Sequence, residues 1–160
     1  MRIAIHAVGR LKAGPERDLA DRYLDRAGKS GRALGVSAVT VREVAESRAA
    51  RADARKDEEA AALLADLPDG ALVLAFDERG EAIDSGRFAA LLDGARGRAV
   101  PAAVFLIGGA DGHGPAALAR ADHRIAFGRL TVPHQIVRIL AAEQIYRALT
   151  ILSGHPYHRA

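Results

Sequence analysis

The chain has 160 residues, enough for one domain with a sizeable core, and 49% of it is apolar, although alanine supplies 35 residues and aromatic types only seven. A charged fraction of 27% with a net charge of +3 excludes a disordered chain, and the absence of cysteine excludes disulfides, zinc–thiolate sites and thiol nucleophiles. The opening MRIAIHAVGR is too short and interrupted for a secretory leader, and no apolar run approaches membrane-spanning length. A soluble, cytoplasmic protein without a membrane partner is expected.

Ile3 to Val8 reads as a short strand stopped by Gly9. Pro15 to Ala27 reads as a helix with proline in its first turn, broken by Gly28, Gly31 and Gly35. Val36 to Val44 is strand-like, and Ser47 is expected to cap a charged, alanine-rich helix ending near Leu67-Pro68-Asp69-Gly70. Glu43 to Glu59 is the most loosely specified stretch. Ala71 to Phe76 is a continuous apolar run, as in a strand buried on both faces, and a loop with Asp77 and Gly80 leads to a helix over Ser85 to Ala95. Val100 to Ile107 is a second such strand, ended by Gly108-Gly109; a short helix follows Pro115. His123 to Phe127 is the last strand, and Pro133 opens a long helix to Leu152, followed by the tail Ser153 to Ala160. This alternation predicts an α/β fold, a largely parallel sheet flanked by helices, with ligands at the carboxyl ends of its strands. Residues 1–160 read as one domain.

Residues 120–160 carry six arginines against Asp122 and Glu143, while residues 1–119 carry 17 basic and 18 acidic groups. The whole positive surplus therefore lies in the last quarter, which suits a polyanionic partner, although a plain solvated basic surface has the same balance. The cluster from Leu106 to Pro115 holds four glycines that let backbone approach a ligand, yet it matches neither the dinucleotide fingerprint nor the Walker pattern. Phe127-Gly128-Arg129-Leu130-Thr131-Val132-Pro133-His134 is a short loop whose backbone suits a purine edge, although taken alone it reads more readily as a simple strand-to-helix connection. In the terminal helix, Val137, Leu140, Ala141, Ile145, Ala148, Leu149 and Leu152 form an apolar stripe, of core or of a subunit interface, and Gln144 within it needs a hydrogen-bond partner. His155, Tyr157, His158 and Arg159 crowd into the tail, where packing alone gives them no reason to be.

In order and spacing, Ile107-Gly108-Gly109 with Gly112, Leu130-Thr131-Val132-Pro133-His134, Arg138, Glu143-Gln144-Ile145-Tyr146-Arg147 and Pro156-Tyr157-His158 resemble a known family. It is the small SPOUT-class methyltransferases that modify N3 of a pseudouridine in 23S ribosomal RNA. The resemblance spans the chain and is most specific in the terminal helix and tail. It implies a trefoil-knotted α/β fold, a rare exception to the unthreaded rule. It implies S-adenosylmethionine as methyl donor, a homodimer packed through the knot, and the assembled ribosome as substrate. By position the donor site falls on Phe76, Gly108, Phe127, Gly128, Arg129, Leu130, Thr131 and Val132. Phe76 stands where relatives often have leucine, and Ala110-Asp111-Gly112-His113-Gly114 where they commonly have Pro-Glu-Gly and fewer glycines.

Transfer to an imide nitrogen requires that its proton leave and that charge forming on O2 and O4 meet cationic or N–H donors. His158 is the expected proton acceptor, with solvent as the alternative, and with Arg138 and Arg147 it forms the catalytic set. Arg138 and Arg159 are assigned phosphate or carbonyl contacts; Tyr157, Arg159 and His134 are expected to meet RNA. No metal is expected. The rival reading is a non-catalytic ribosome-binding factor on the same fold; the intact Gly108-Gly109 turn and the 130–133 loop argue against it.

Overall fold

The computed structural model describes residues 1–158. They form five strands, β1 (Arg2–Val8), β2 (Ala38–Val44), β3 (Leu72–Ala82), β4 (Ala102–Ile107) and β5 (His123–Ala126). Between and after them lie the helices α1 (Pro15–Gly31), α2 (Ala52–Leu64), α3 (Ser85–Gly97), α4 (Pro115–Arg120) and α5 (His134–Leu152). The sheet order is β2-β1-β4-β3-β5 and every pairing is parallel, so all the carboxyl ends share one edge.

Residue alternation explains the layers. Ile3, Ile5, Leu72, Leu74, Ala103 and Phe105 point to one face, where Phe88 and Leu92 of α3 and Ile145 and Leu149 of α5 cover them. Ala4, Val8, Val73, Ala75, Val104 and Leu106 point to the other, under Ala60 and Leu63 of α2 and Ala117 of α4. Both faces of β3 and β4 are apolar because both are covered. Most of the apolar stripe of α5 is covered within the chain, since α5 packs on α1 and α3, while Val137, Leu140 and Leu152 stay half-buried.

Three boundaries differ from the sequence expectation, the first being α1, which runs through Gly28 to Gly31. β3 does not stop at Phe76 but continues through polar residues to Ala82, re-pairing with β5 beyond a register break between Phe76 and Glu81. A Cβ on Gly80 would stand 2.6 Å from the backbone of Arg124 and Ile125, so glycine is what permits that second approach. Ser47 does not cap α2, which starts at Ala52 after Arg51. Its hydroxyl instead accepts from the Ala49 N–H and donates to Glu58, while its own N–H donates to Glu59. These bonds, with Arg55 donating to the Ala49 and Ala50 carbonyls, tie down the loosely specified segment.

Candidate active site

Three chain segments meet at the carboxyl edge of the sheet: β3 at Phe76-Asp77, where its register with β5 breaks, β4 at its end, Ile107-Gly108, and β5 at its end, Ala126-Phe127. They line a cleft of about 870 Å³. Phe76, Gly108, Phe127, Gly128, Leu130, Thr131, Val132 and His134 all contribute to its walls. Exposed Arg129 does not line it. One wall is an aromatic column. The Phe76 ring lies 4.7 Å from that of Phe127 and 5.9 Å from that of Phe105, with interplanar angles of 17° and 16°. Phe76 and Phe105 are buried, whereas Phe127 keeps 36% of its surface.

The opposite wall is the turn after β4. Gly112 N–H donates to the Gly109 carbonyl at 3.0 Å, with Gly112 at φ +80°. A Cβ on Gly108 would meet the Gly112 and His113 backbone at 3.0–3.2 Å, and one on Gly109 would stand 2.7 Å from Glu59 Oε2. These glycines therefore answer first to close packing of the turn on itself and on α2. Arg55 of α2 grips Asp111 through Nε at 2.7 Å and Nη2 at 3.2 Å, and this hydrogen bonding holds the Asp111 carboxyl below its ordinary range. His113, 8% exposed, faces the Phe76 carbonyl through Nε2 at 3.0 Å, while buried Nδ1 has no partner. Sequence reasoning noted this histidine in the glycine cluster without giving it a task; its signal was a bulky imidazole set between two glycines.

From Phe127 the chain leaves the sheet edge and crosses the carboxyl ends to α5. Arg138, one turn into α5, is 5% exposed and lies against the end of β1. It ion-pairs with Glu43 at 2.6 Å and donates to the carbonyls of Val8 and Gly9. Burial pushes the Glu43 carboxyl up, but the Leu11 N–H and the Arg138 guanidinium outweigh it and hold the group below its usual value. Both terminal nitrogens of Arg138 are thus bonded within the chain, its buried Nε has no partner among the described residues, and the side chain fastens the start of α5 to the sheet.

The described part of the tail folds back on α5. Glu143 Oε1 accepts from Arg147 Nε at 2.9 Å and Nη2 at 2.6 Å and from the Tyr157 hydroxyl at 3.0 Å. Its Oε2 accepts from Gln144 at 2.6 Å, and Gln144 Oε1 accepts from Ser85 at 2.9 Å, which supplies the partner that residue needed. The Arg147 guanidinium lies 4.9 Å above the Tyr157 ring, and the Tyr157 and Tyr146 rings are 4.6 Å apart. Burial first, then hydrogen bonding with Tyr23 and Glu143, holds the Tyr157 phenol well above its ordinary value. Arg147 Nη1 is 3.4 Å from His158 Nδ1. Arg159 lies outside the described residues. His134 at the cleft and Arg147 beneath the tail are separated by about 20 Å of helix, so among the described residues one chain does not unite tail and cleft. Among the described residues no cluster could hold a metal ion, and no helix is long and apolar enough to cross a membrane.

A parallel sheet whose crossing loops build the cleft is the geometry of the knotted α/β methyltransferases. A probable methylase family protein from Haemophilus influenzae matches over 99% of this chain and 70% of its own, with a TM-score of 0.50 at 10% identity. The family model described as predicted SPOUT methyltransferase matches residues 1–158, and the chain belongs to that family with its knotted fold. Two curated relatives named ribosomal RNA large subunit methyltransferase H match end to end. The one from Rhizobium meliloti is 59% identical over 160 residues, covering all of both chains. That from Rhizobium leguminosarum is 57% identical over 159 residues, covering 99% of each.

Proposed function

We propose that this chain is an S-adenosylmethionine-dependent methyltransferase that modifies N3 of a pseudouridine in 23S ribosomal RNA. It acts on assembled ribosomes, in the cytoplasm, as a homodimer. The cleft carries this reading: two backbone-rich loops and a stacked phenyl pair stand where parallel α/β sheets take nucleoside-bearing ligands. The end-to-end relatives named for large-subunit ribosomal RNA support the substrate class; the N3 position rests on the motif resemblance.

The residues present fit the donor. Gly128, at φ +129°, leaves open space where a Cβ would stand, so that wall is bare backbone. Phe127 offers a partly exposed ring beside Phe76 for a purine. When bound, the donor supplies an activated methyl on a sulfonium. The chain's own task is alignment of the acceptor nitrogen and management of its proton and charge. Arg147, fixed by Glu143, holds positive charge beside the tail. A guanidinium can only donate, so His158 Nδ1 accepts in this arrangement and Nε2 carries the hydrogen. Docked in this way, His158 suits donation to a carbonyl oxygen of the pyrimidine; freed from Arg147, its Nδ1 can take the N3 proton.

The separation of cleft and tail supports the dimer, in which the tail of one copy completes the cleft of the other. Leu130, 84% exposed, and half-exposed Ile136 and Val41 supply apolar surface for it. Light scattering of dilute protein should give about twice the chain mass of 16.9 kDa. Calorimetry with S-adenosylhomocysteine, followed by nucleoside mass spectrometry of ribosomes treated with enzyme and S-adenosylmethionine, tests the function. Absence of both heat and a methylated pseudouridine would leave the ribosome-binding factor as the better reading.

A further inference from the structure

We propose that His113 is a positioning residue of the cleft: its imidazole fastens the turn after β4 to the end of β3 and thereby sets the affinity for the adenosyl donor. This rests on the reading of the cleft given above.

The argument begins with the backbone around it. His113 stands between Gly112, in the left-handed region at φ +80°, and Gly114, which packs so closely on the Lys56 backbone that a Cβ there would lie 2.8 Å from the carbonyl carbon. Two flanking glycines leave the chain many conformations, so a single one requires a tether. The imidazole is that tether. Its Nε2 lies 3.0 Å from the Phe76 carbonyl oxygen, 37 residues away in sequence.

Phe76 is where the sheet can no longer do this work. It pairs with Ile107, the last residue of β4, and beyond it the β3–β5 register breaks until Glu81. A side-chain donor therefore continues the ordering past the end of the ladder. Because the Phe76 ring stacks on Phe127 at 4.7 Å, a shift of Phe76 is passed to the third wall. One hydrogen bond and one ring contact thus join all three segments that form the cleft.

The unpartnered Nδ1 sharpens the point. A buried polar atom without a partner is destabilising, and an aliphatic side chain of similar size would avoid it. The bond from Nε2 is what an imidazole gains at this place. The Phe76 carbonyl can only accept, so Nε2 carries the hydrogen; burial lowers the pKa of the ring, and the Phe76 carbonyl, Asp77 and the Leu106 backbone oppose that only partly.

Calorimetry with S-adenosylhomocysteine on the full-length protein and two variants provides the test. His113→Leu keeps bulk and removes the donor; His113→Gln returns an N–H close to the position of Nε2. The leucine variant should bind about tenfold more weakly, and glutamine should recover affinity to within about threefold. Steady-state methylation should show a raised KM for S-adenosylmethionine in His113→Leu with kcat nearly unchanged, which a general loss of folded protein would not produce. Equal affinity in the leucine variant and wild type overturns the inference, as does a glutamine variant no better than leucine. If the leucine variant does not fold, ¹⁵N–¹H correlation on the wild-type imidazole decides: an Nε2–H tautomer whose signal moves on ligand addition supports the assignment, and an Nδ1–H tautomer or an unmoved signal overturns it. A wild-type protein that takes up no S-adenosylhomocysteine fails the donor reading itself, and the inference falls with it.

Discussion

The cleft and the tail are built on opposite principles. The cleft is backbone held by backbone: glycines close a turn on itself and on α2, and few side chains, His113 and the Arg55–Asp111 pair among them, pin the result. The tail is a network of side chains hung on one carboxylate, since Glu143 accepts from Arg147, Gln144 and Tyr157 together. A backbone-built wall tolerates little substitution but gives a fixed shape. A side-chain latch can be released without disturbing the fold. The first suits a ligand of constant form; the second suits a large substrate that must be admitted and let go.

Deleting residues 155–160 should break this comparison most visibly. Tyr157 and His158 lie beyond α5, and apart from the packing of Tyr157 on Tyr146 at the edge of the core their described contacts are with the latch, so folding and S-adenosylhomocysteine affinity should survive. Methylation of ribosomes should fall by about a hundredfold or more, as loss of aligned groups does. A truncated protein that methylates at the normal rate would return the chemistry to α5. The converse change is Gly114→Ala. Its Cβ would press on the Lys56 backbone and on Ala60, destabilising the fold by about 1–3 kcal/mol in urea titration. Donor affinity should drop by about tenfold while the tail stays docked. An alanine variant with unchanged affinity would mean that the turn is not rigid after all.

Glu143→Gln probes the latch more gently. The amide keeps the volume and one acceptor oxygen but gives up the charge that strengthens the bonds to Arg147 and the second oxygen that accepts from Gln144. Turnover on ribosomes should fall by about tenfold, with donor affinity untouched and Tm lower by a few degrees. Hydrogen exchange at Tyr157 and His158 should rise. If exchange rises and turnover does not fall, the docked tail is not the working one.

Much of the cleft was legible because it is written in glycine and in apolar runs. β3 and β4 announce themselves as strands buried on both sides, and the donor segments named by position, apart from Arg129, line one cleft. The misreadings share a cause. Asp77 to Ala82 is polar and contains Gly80, so it reads as a loop, yet pairing with β5 draws it into the sheet. Arg138 reads as a surface group because guanidinium is rarely buried; Glu43 and two strand-end carbonyls, remote in sequence, make its burial tolerable. Ser47 looks like a cap by residue type, but Glu58 and Ala49 engage its hydroxyl before α2 begins. In each case the deciding partner is far along the chain or outside the local pattern.

The smallest expected effect concerns acid. His6 and His113 are both held below 6.5, in each case chiefly by burial. For His6 the Leu63 carbonyl and Asp66 oppose this while Arg42 and Arg2 reinforce it; for His113 the Phe76 carbonyl and Asp77 oppose it. The unfolded chain therefore takes up these protons first as pH falls, and stability present above 6.5 is lost below it. Glu43 and Asp111 are also shifted downward, below 4.5 and 3.8, so they weaken the fold only in stronger acid. Tm should thus decline by a few degrees between about pH 7 and pH 5, with the histidines responsible. His6→Gln should remove part of the slope and leave donor affinity alone, since His6 bonds to Leu63 under α2, away from the cleft. His113→Gln should remove another part. Hydrogen exchange in the same interval should loosen residues 108–114 before the tail, because the Tyr157 phenol stays protonated throughout. Loosening of the tail first would mean that the latch, rather than the backbone-built turn, is the acid-sensitive half of the molecule.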